Sequence, residues 1–345
     1  MTTKTERKRD KNFITMAIET SCDETSAAIL RGDREIMSNV ISSQIDIHRA
    51  YGGVVPEIAS RHHLENINGV VETAMEEAGV SWEDINLIGV TYGPGLSGAL
   101  VIGVAAAKAY SVAKGIPLIG VNHMHGHMAA AYGAYSNLEP PFISLVVSGG
   151  HTNIVKVKSY TEFEVLGATR DDAIGEAYDK VARVLGLGYP GGPKIDKLAK
   201  EGDGTAVEFK RTWLEKGTYD FSFSGIKTGV LNYVNTENQA GREVNKADVA
   251  ASFQEAVVEV VSTKTMEAVR KEGMNTLVLA GGVAANSRLS QVMKTICERE
   301  NVKLCIPPAI MCTDNAGMVA IAAHYEFMER GGDGLDLDAV SGLDI

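Results

Sequence analysis

The pentapeptide His123-Met124-His125-Gly126-His127 follows a short apolar run, PLIGV. If a helix starts here, His123 and His127 stand at i and i+4 on one face, and His125 points elsewhere. Two imidazoles on one helical turn can hold one metal ion. The spacing invites comparison with the H-E-x-x-H zinc proteases, but the position of their glutamate base is occupied by Met124, so a hydrolytic reading loses its base. The alternative for the pair is that the histidines cap a helix or fill a polar pocket.

The elements that must place these side chains follow from hydrophobic periodicity. FITMAIE (13–19), TSAAIL (25–30) and REIMSNVIS (34–42) read as three strands joined by short turns. A helix over 54–79 ending at a glycine stop comes next, then strand INLIGVTY, helix SGALVIGVAAAKAYSVAKG, strand PLIGV and a helix beginning near His123. From about residue 141 the same order recurs: three strands, a helix over DDAIGEAYDKVARVLGL, an inserted region near 188–245, a long helix, strand NTLVLA, helix NSRLSQVMKTICERE, strand VKLCI and a last helix from about Asp314. The two halves share element order rather than residue identity. The expected fold is α/β, a duplicated βββαβαβα plan with two lobes facing a cleft: 1–12 a disordered basic tail, 13–138 an N-terminal lobe, and 139–345 a C-terminal lobe carrying the insertion.

Glycine-rich turns leave corresponding strands in the two halves: ETSCDET and YGPGLSG in the first, VSGGHT and AGGVAANS in the second. Small residues there let backbone N–H groups approach phosphates or carboxylates, although tight packing at strand ends explains any single one of them. None is a P-loop. The duplication also pairs the start of the His123 helix with the start of the last helix, where Asp314 stands. With the lobes related by pseudo-twofold symmetry, Asp314 becomes the third ligand of a site with open positions for substrate. Its alternative role is a helix N-cap.

Composition bounds the rest. The chain has 345 residues, 45% of them apolar, and no uncharged apolar run approaches the roughly 18 residues that span a bilayer. The polar start, MTTKTERKRDKN, lacks the apolar stretch of a secretory signal. Cys22, Cys297, Cys305 and Cys312 show no C-x-x-C spacing, which fits a reducing, cytoplasmic setting. The net charge of −11 argues against strong unaided binding to nucleic acid. Any nucleic-acid partner would need a local basic face, for which the strip Lys210, Arg211, Lys216 and Lys227 is the candidate.

IETSCDETS, GGVVPEIASRHH, TYGPGLSGAL, NHMHGH, VSGGHT, GEAYDKVARVLGLGYPGGP, FSFSGIKTG, GGVAANSRL and CTDNAGMVA, in that order, closely resemble the TsaD family of tRNA threonylcarbamoyladenosine synthases, and VVPEIASRHH resembles its bacterial branch. The likeness runs from about Ile18 to Gly317. It implies the actin-like, sugar-kinase and Hsp70-type ATPase fold. The activity it implies is transfer of a threonylcarbamoyl group from threonylcarbamoyl-AMP to N6 of the adenosine 3′-adjacent to the anticodon, in tRNAs reading codons that begin with A. Carried over residue by residue, His123, His127 and Asp314 match the family's metal ligands, with Fe2+ favoured and Zn2+ possible. Val146, Val147, Ser148, Gly149, Gly150, Asp179, Gly192, Asp196 and Asn286 match its nucleotide-side residues. The alternative for Asp179 and Asp196 is helix-surface solvation, and for Asn286 a helix cap.

The implied partners are tRNA, TsaB-like and TsaE-like proteins and a TsaC-type enzyme that supplies the acyl-adenylate; no membrane is involved. For the proton of the attacking amine, the carboxylate pair Asp23 and Glu24 is the nearest resource. Adjacent side chains on an extended loop diverge, so one of them faces the site, and Asp23 is the candidate. A Mg-ATP phosphotransferase or ATPase of the same fold is the rival reading; it leaves His123 and His127 unexplained, because Mg2+ prefers oxygen ligands.

Overall fold

A computed structural model describes residues 11–345; of the basic tail expected over 1–12, only a turn at Lys11 and Asn12 falls within the described residues. The chain divides into two compact units. Of the described residues, the first comprises those up to Pro140 together with Lys158–Phe163 and Pro307–Ile345, and the second comprises Pro141–Val157 and Glu164–Ile306.

Unit 1 is built on a five-stranded mixed sheet of order β3-β2-β1-β4-β5. β1 (Ile14–Glu19) is buried along its whole length, as befits a central strand, with Thr15 and Glu19 buried among its apolar residues. It pairs antiparallel with β2 (Glu24–Arg31) and parallel with β4 (Leu87–Gly93), while β3 (Glu35–Ser43) and β5 (Leu118–Asn122) form the edges. A short α1 (Ile45–Arg49) precedes α2 (Pro56–Ala78). α2 opens on a proline at its first turn and stops at Gly79, whose φ of 65° few other residues adopt without strain. α2 and α3 (Ser97–Lys114) contribute Ile67, Val71 and Val104 to a core shared with Met16, Ile18 and Ile88 of the sheet.

The last helix belongs to unit 1, where the sequence reading assigned it to a C-terminal lobe. α11 (Ala316–Arg330) packs on β1, β2, β4 and α4 (His123–Ala134). Small residues make this approach possible. A Cβ on Gly89 would lie 2.6 Å from the Cβ of Ala323 and 3.6 Å from that of Ala17, and one on Gly126 would lie 3.2 Å from Cγ of Met318. Periodicity sees the helix but not which sheet its alanines fit.

Unit 2 repeats the plan with β6 (Phe142–Val147), β7 (Thr152–Val157), β8 (Phe163–Ala168), β9 (Thr276–Ala280) and β10 (Lys303–Cys305). Its sheet order is β10-β9-β6-β7-β8. Read from its β8 edge, this sheet has its third, second, first, fourth and fifth strands in that order, as the first sheet does from β3, so the duplication inferred from element order is present as topology. The long α8 (Lys246–Lys271) packs on β6 and α9 (Ser287–Glu300) on β10, while α5 (Ile174–Val184) packs on the two helices that the insertion supplies, α6 (Gly191–Ala199) and α7 (Ser224–Gln239). A four-residue α10 (Ala309–Cys312) then leads into α11. Among the described residues no helix is long and apolar enough to cross a membrane.

Candidate metal centre

α4 starts at His123, and Asn122 supplies its cap: the side-chain oxygen accepts from Met124 N–H at 2.8 Å. The helical start puts His123 and His127 on one face, with ring centroids 4.6 Å apart. Asp314 reaches the same face from the loop before α11. That loop is pinned by its neighbours, since Ala316 N–H donates to Ser26 Oγ at 2.9 Å and Gly317 N–H to Asn39 Oδ1 at 3.1 Å. The cap of α11 is Asn315, whose Oδ1 accepts from Met318 N–H. Asp314 is thereby spared the capping role that was its alternative.

One ligand atom each from His123, His127 and Asp314 lies within 4.8 Å of the others. Asp314 Oδ1 is 3.5 Å from His123 Nε2 and 3.2 Å from His127 Nε2. Bonds of 2.0–2.2 Å to a tetrahedral ion place ligand atoms roughly 3.3–3.6 Å apart, so both separations suit one small divalent ion. The side chain of His127 is fully buried; Nε2 meets only Asp314, outside good hydrogen-bond geometry, and Nδ1 has no partner. An orphaned buried polar group costs about 1–3 kcal/mol, and coordination of an ion would satisfy one of the two nitrogens. The donor set fits a metal that accepts imidazole and carboxylate, such as iron or zinc.

The electrostatics point the same way. Burial works against charge on His123, but Asp314 and Glu19 outweigh it and hold the imidazole well above its usual value. Burial also opposes ionisation of Asp314, and His123 and His127 overcome it to hold the carboxyl well below the ordinary range. Glu24 is pushed up to about 9, first by burial and then by Asp23 and Asp314, so it keeps its proton at neutral pH. The Cys22 thiol is raised by burial and the same carboxylates. This end of unit 1 carries an excess of negative potential that a divalent cation would neutralise.

Of the carboxylate pair on the first loop, Asp23 is buried with Oδ2 lacking a hydrogen-bond partner, while Glu24 accepts from the Ser43 hydroxyl at 3.1 Å. His63 ties that loop to α2, bonding the Cys22 carbonyl at 2.9 Å and the Thr25 hydroxyl at 2.8 Å. His125, left without a role by the sequence, pairs with Glu326 at 2.9 Å and stacks on Phe163. Sequence reasoning missed Glu19, which lies fully buried with Oε2 3.0 Å from His123 Nδ1.

The residues that the resemblance assigns to the nucleotide all lie in unit 2. Val146 and Val147 end the buried β6, and Ser148 Oγ accepts from His151 N–H at 3.1 Å. Gly149 and Gly150 are exposed, with no atom within 4 Å of where a Cβ would stand. Beside them runs Gly281, whose φ of 86° and closeness to the Val147 carbonyl admit no side chain. Asp179 Oδ1 accepts from Gly191 N–H at 2.6 Å at the start of α6, the helix that carries Gly192 and Asp196. Asp196 accepts from Ser287 Oγ at 2.9 Å, next to Asn286. The two aspartates are therefore bonded within unit 2 rather than merely solvated on a helix surface. Asn286 caps α9 through Leu289 N–H and donates to Gln254 Oε1 at 2.8 Å, so the capping role is real whatever else it does.

The candidate RNA strip is weaker than its sequence. Arg211 pairs with Glu259 at 2.9 Å and Lys227 with Asp172 at 2.6 Å, which leaves Lys210 and Lys216 as its exposed charges.

Two repeats of one mixed-sheet plan, packed with helices, place the chain in the α/β class of actin-like ATPases, sugar kinases and Hsp70 proteins. Solved structures agree at the level of fold. HypF in its phosphate- and nucleotide-bound form matches with a TM-score of 0.63 at 15% identity, over 94% of this chain and 48% of that one. Component A of (R)-2-hydroxyglutaryl-CoA dehydratase from Acidaminococcus fermentans matches with a TM-score of 0.51 at 16% identity, over 91% and 98%. The family model for TsaD, tRNA N6-adenosine threonylcarbamoyltransferase, matches residues 35–321. A curated protein of that name from Clostridium botulinum (strain Kyoto / Type A2) is 54% identical over 330 residues, covering 96% of this chain and 97% of its own. The chain belongs to the TsaD family, and is a transferase of tRNA modification.

Proposed function

We propose that this chain transfers the threonylcarbamoyl group of threonylcarbamoyl-AMP to N6 of the adenosine 3′-adjacent to the anticodon, in tRNAs that read codons beginning with A. In this step the bond between the carbamoyl carbon and the phosphate oxygen breaks, a carbon–nitrogen bond to N6 forms, AMP leaves and the amine gives up a proton. The observation that carries the reading is the convergence of His123, His127 and Asp314 in a chain of this family.

These three residues would hold one divalent ion, Fe2+ favoured and Zn2+ possible, which when bound would polarise the carbamoyl carbonyl and orient the threonyl end. Gly149 and Gly150, open to solvent at the end of β6, would present backbone amides to the AMP phosphate and steady the departing charge. Val146, Val147 and Ser148 would shape that approach. Asp179, Gly192, Asp196 and Asn286 would receive the nucleoside, with carboxylate and amide oxygens accepting from its hydroxyls. Asp23, with one buried oxygen lacking a partner, would take the amine proton, while the neutral neighbour Glu24 keeps a second negative charge from opposing it.

An acidic chain needs help to hold tRNA, and TsaB-like and TsaE-like partners would supply it in the cytoplasm, with a TsaC-type enzyme making the acyl-adenylate. Two imidazoles beside one carboxylate weigh against a Mg-ATP phosphotransferase. The test is incubation with threonylcarbamoyl-AMP, tRNA and purified partners, then mass analysis of the nucleosides, with and without a chelator. The modified nucleoside should appear and be lost on chelation. Its absence with active partners would overturn the reading.

A further inference from the structure

β1 ends in a carboxylate that its own sequence does not explain. Glu19 follows five apolar or small residues and is fully buried, a position where an ionised group is costly unless it is fully bonded. Its partners come from three parts of unit 1. The Ser21 amide donates to Oε1, the Thr91 hydroxyl donates to Oε2 at 2.6 Å, and His123 Nδ1 lies 3.0 Å from the same Oε2. Ser21 Oγ, 3.1 Å from His123 Nδ1, closes the ring of contacts. A carboxylate can only accept from that nitrogen, so it requires a proton on Nδ1 and leaves Nε2, 3.5 Å from Asp314, as the nitrogen that can give its lone pair to an ion. His127 has no such backing: its Nδ1 is buried without a partner.

We propose that Glu19 is the positioning residue of the metal centre, fixing the tautomer and ring plane of His123 so that Nε2 is the ligand and making His123 the stronger of the two imidazole donors. The inference rests on the reading that His123, His127 and Asp314 hold a divalent ion. Carboxylates behind a ligating histidine orient the ring and raise its basicity, and their loss weakens metal binding about 10–100-fold.

The test measures Zn2+ affinity by chelator competition in the full chain. Glu19→Gln, which keeps the volume and removes the charge, should bind about 10–100-fold more weakly than the native protein. The same change made on a His123→Asn background should shift the affinity no further, because Glu19 acts through that ring; an equal second loss would mean a general structural role and would overturn the proposal. Should Glu19→Gln fail to fold, nitrogen-15 spectra of the native protein with Zn2+ decide alone: His123 must show a protonated Nδ1, and coordination through Nδ1 overturns the inference. A native protein that binds no Zn2+ or Fe2+ would instead sink the metal reading itself, whereas native binding with an unaffected Glu19→Gln variant sinks only the role of Glu19.

Discussion

Replacing Asp314 by asparagine separates the metal reading from every merely structural account of this corner of unit 1. The substitution keeps the shape and leaves the cap of α11 intact, because Asn315 performs it. What it removes is the anionic oxygen that stands 3.2 Å from one imidazole and 3.5 Å from the other. A ligand that binds only the folded state at one hundred times its dissociation constant adds about 2.7 kcal/mol. At about 2–4 °C per kcal/mol for a cooperative unit of 150–250 residues, saturating Zn2+ should raise the melting temperature of the native protein by about 5–10 °C. If the amide weakens binding about 100-fold, the same Zn2+ concentration merely equals the new dissociation constant, the gain falls to about 0.4 kcal/mol, and the shift shrinks to about 1 °C. Paired thermal denaturation with and without Zn2+, checked by chelator competition, reads both quantities. An Asp314→Asn protein that keeps the full metal-dependent shift would refute the assignment of Asp314 as a ligand.

Two further outcomes follow from groups outside the proposed ligands. Burial lowers the pKa of His324 to about 4, against about 6.5 in an unfolded chain, so below pH 6.5 the unfolded state takes up a proton that the folded state refuses. Stability is then lost as pH falls toward 4, about 2 kcal/mol by pH 5; His324→Phe, which also removes a buried Nδ1 without a partner, should flatten the denaturant-midpoint profile between pH 7 and 5, and an unchanged slope would contradict the argument. Asn122 caps α4 with its oxygen and donates from Nδ2 to the Asp344 carbonyl at 2.8 Å, so Asn122→Ala should cost about 1–2 kcal/mol in urea unfolding and speed hydrogen exchange in the C-terminal residues, whose Val340 N–H is bonded to Tyr92; unaltered exchange there would show that Asn122 does not clasp the tail.

How much of this was legible beforehand depends on the range of the interaction that decides each feature. The i, i+4 pair His123 and His127 is a local fact of helix geometry, so its spacing predicted the shared face. The duplicated element order is a chain-level pattern, and it led to Asp314 even though the unit carrying Asp314 was misplaced. Choosing a sheet for α11 depends on how Ala17, Gly89 and Ala323 interlock, and those small residues are spread over the whole length of the chain. The Asp-Asn dipeptide at 314–315 presents two equally good caps; only the fold shows Asn315 bonded to Met318 and Asp314 released toward the histidines. Glu19 was hidden for the same reason. In sequence it is the polar residue that ends a strand, and the partners that explain its burial, Thr91 and His123, lie 72 and 104 positions away. A charged residue directly after an apolar run, with no basic residue near it in the chain, is a signal worth following: burial makes it costly, so something distant must satisfy it, and here that something is a ring that faces the proposed ion.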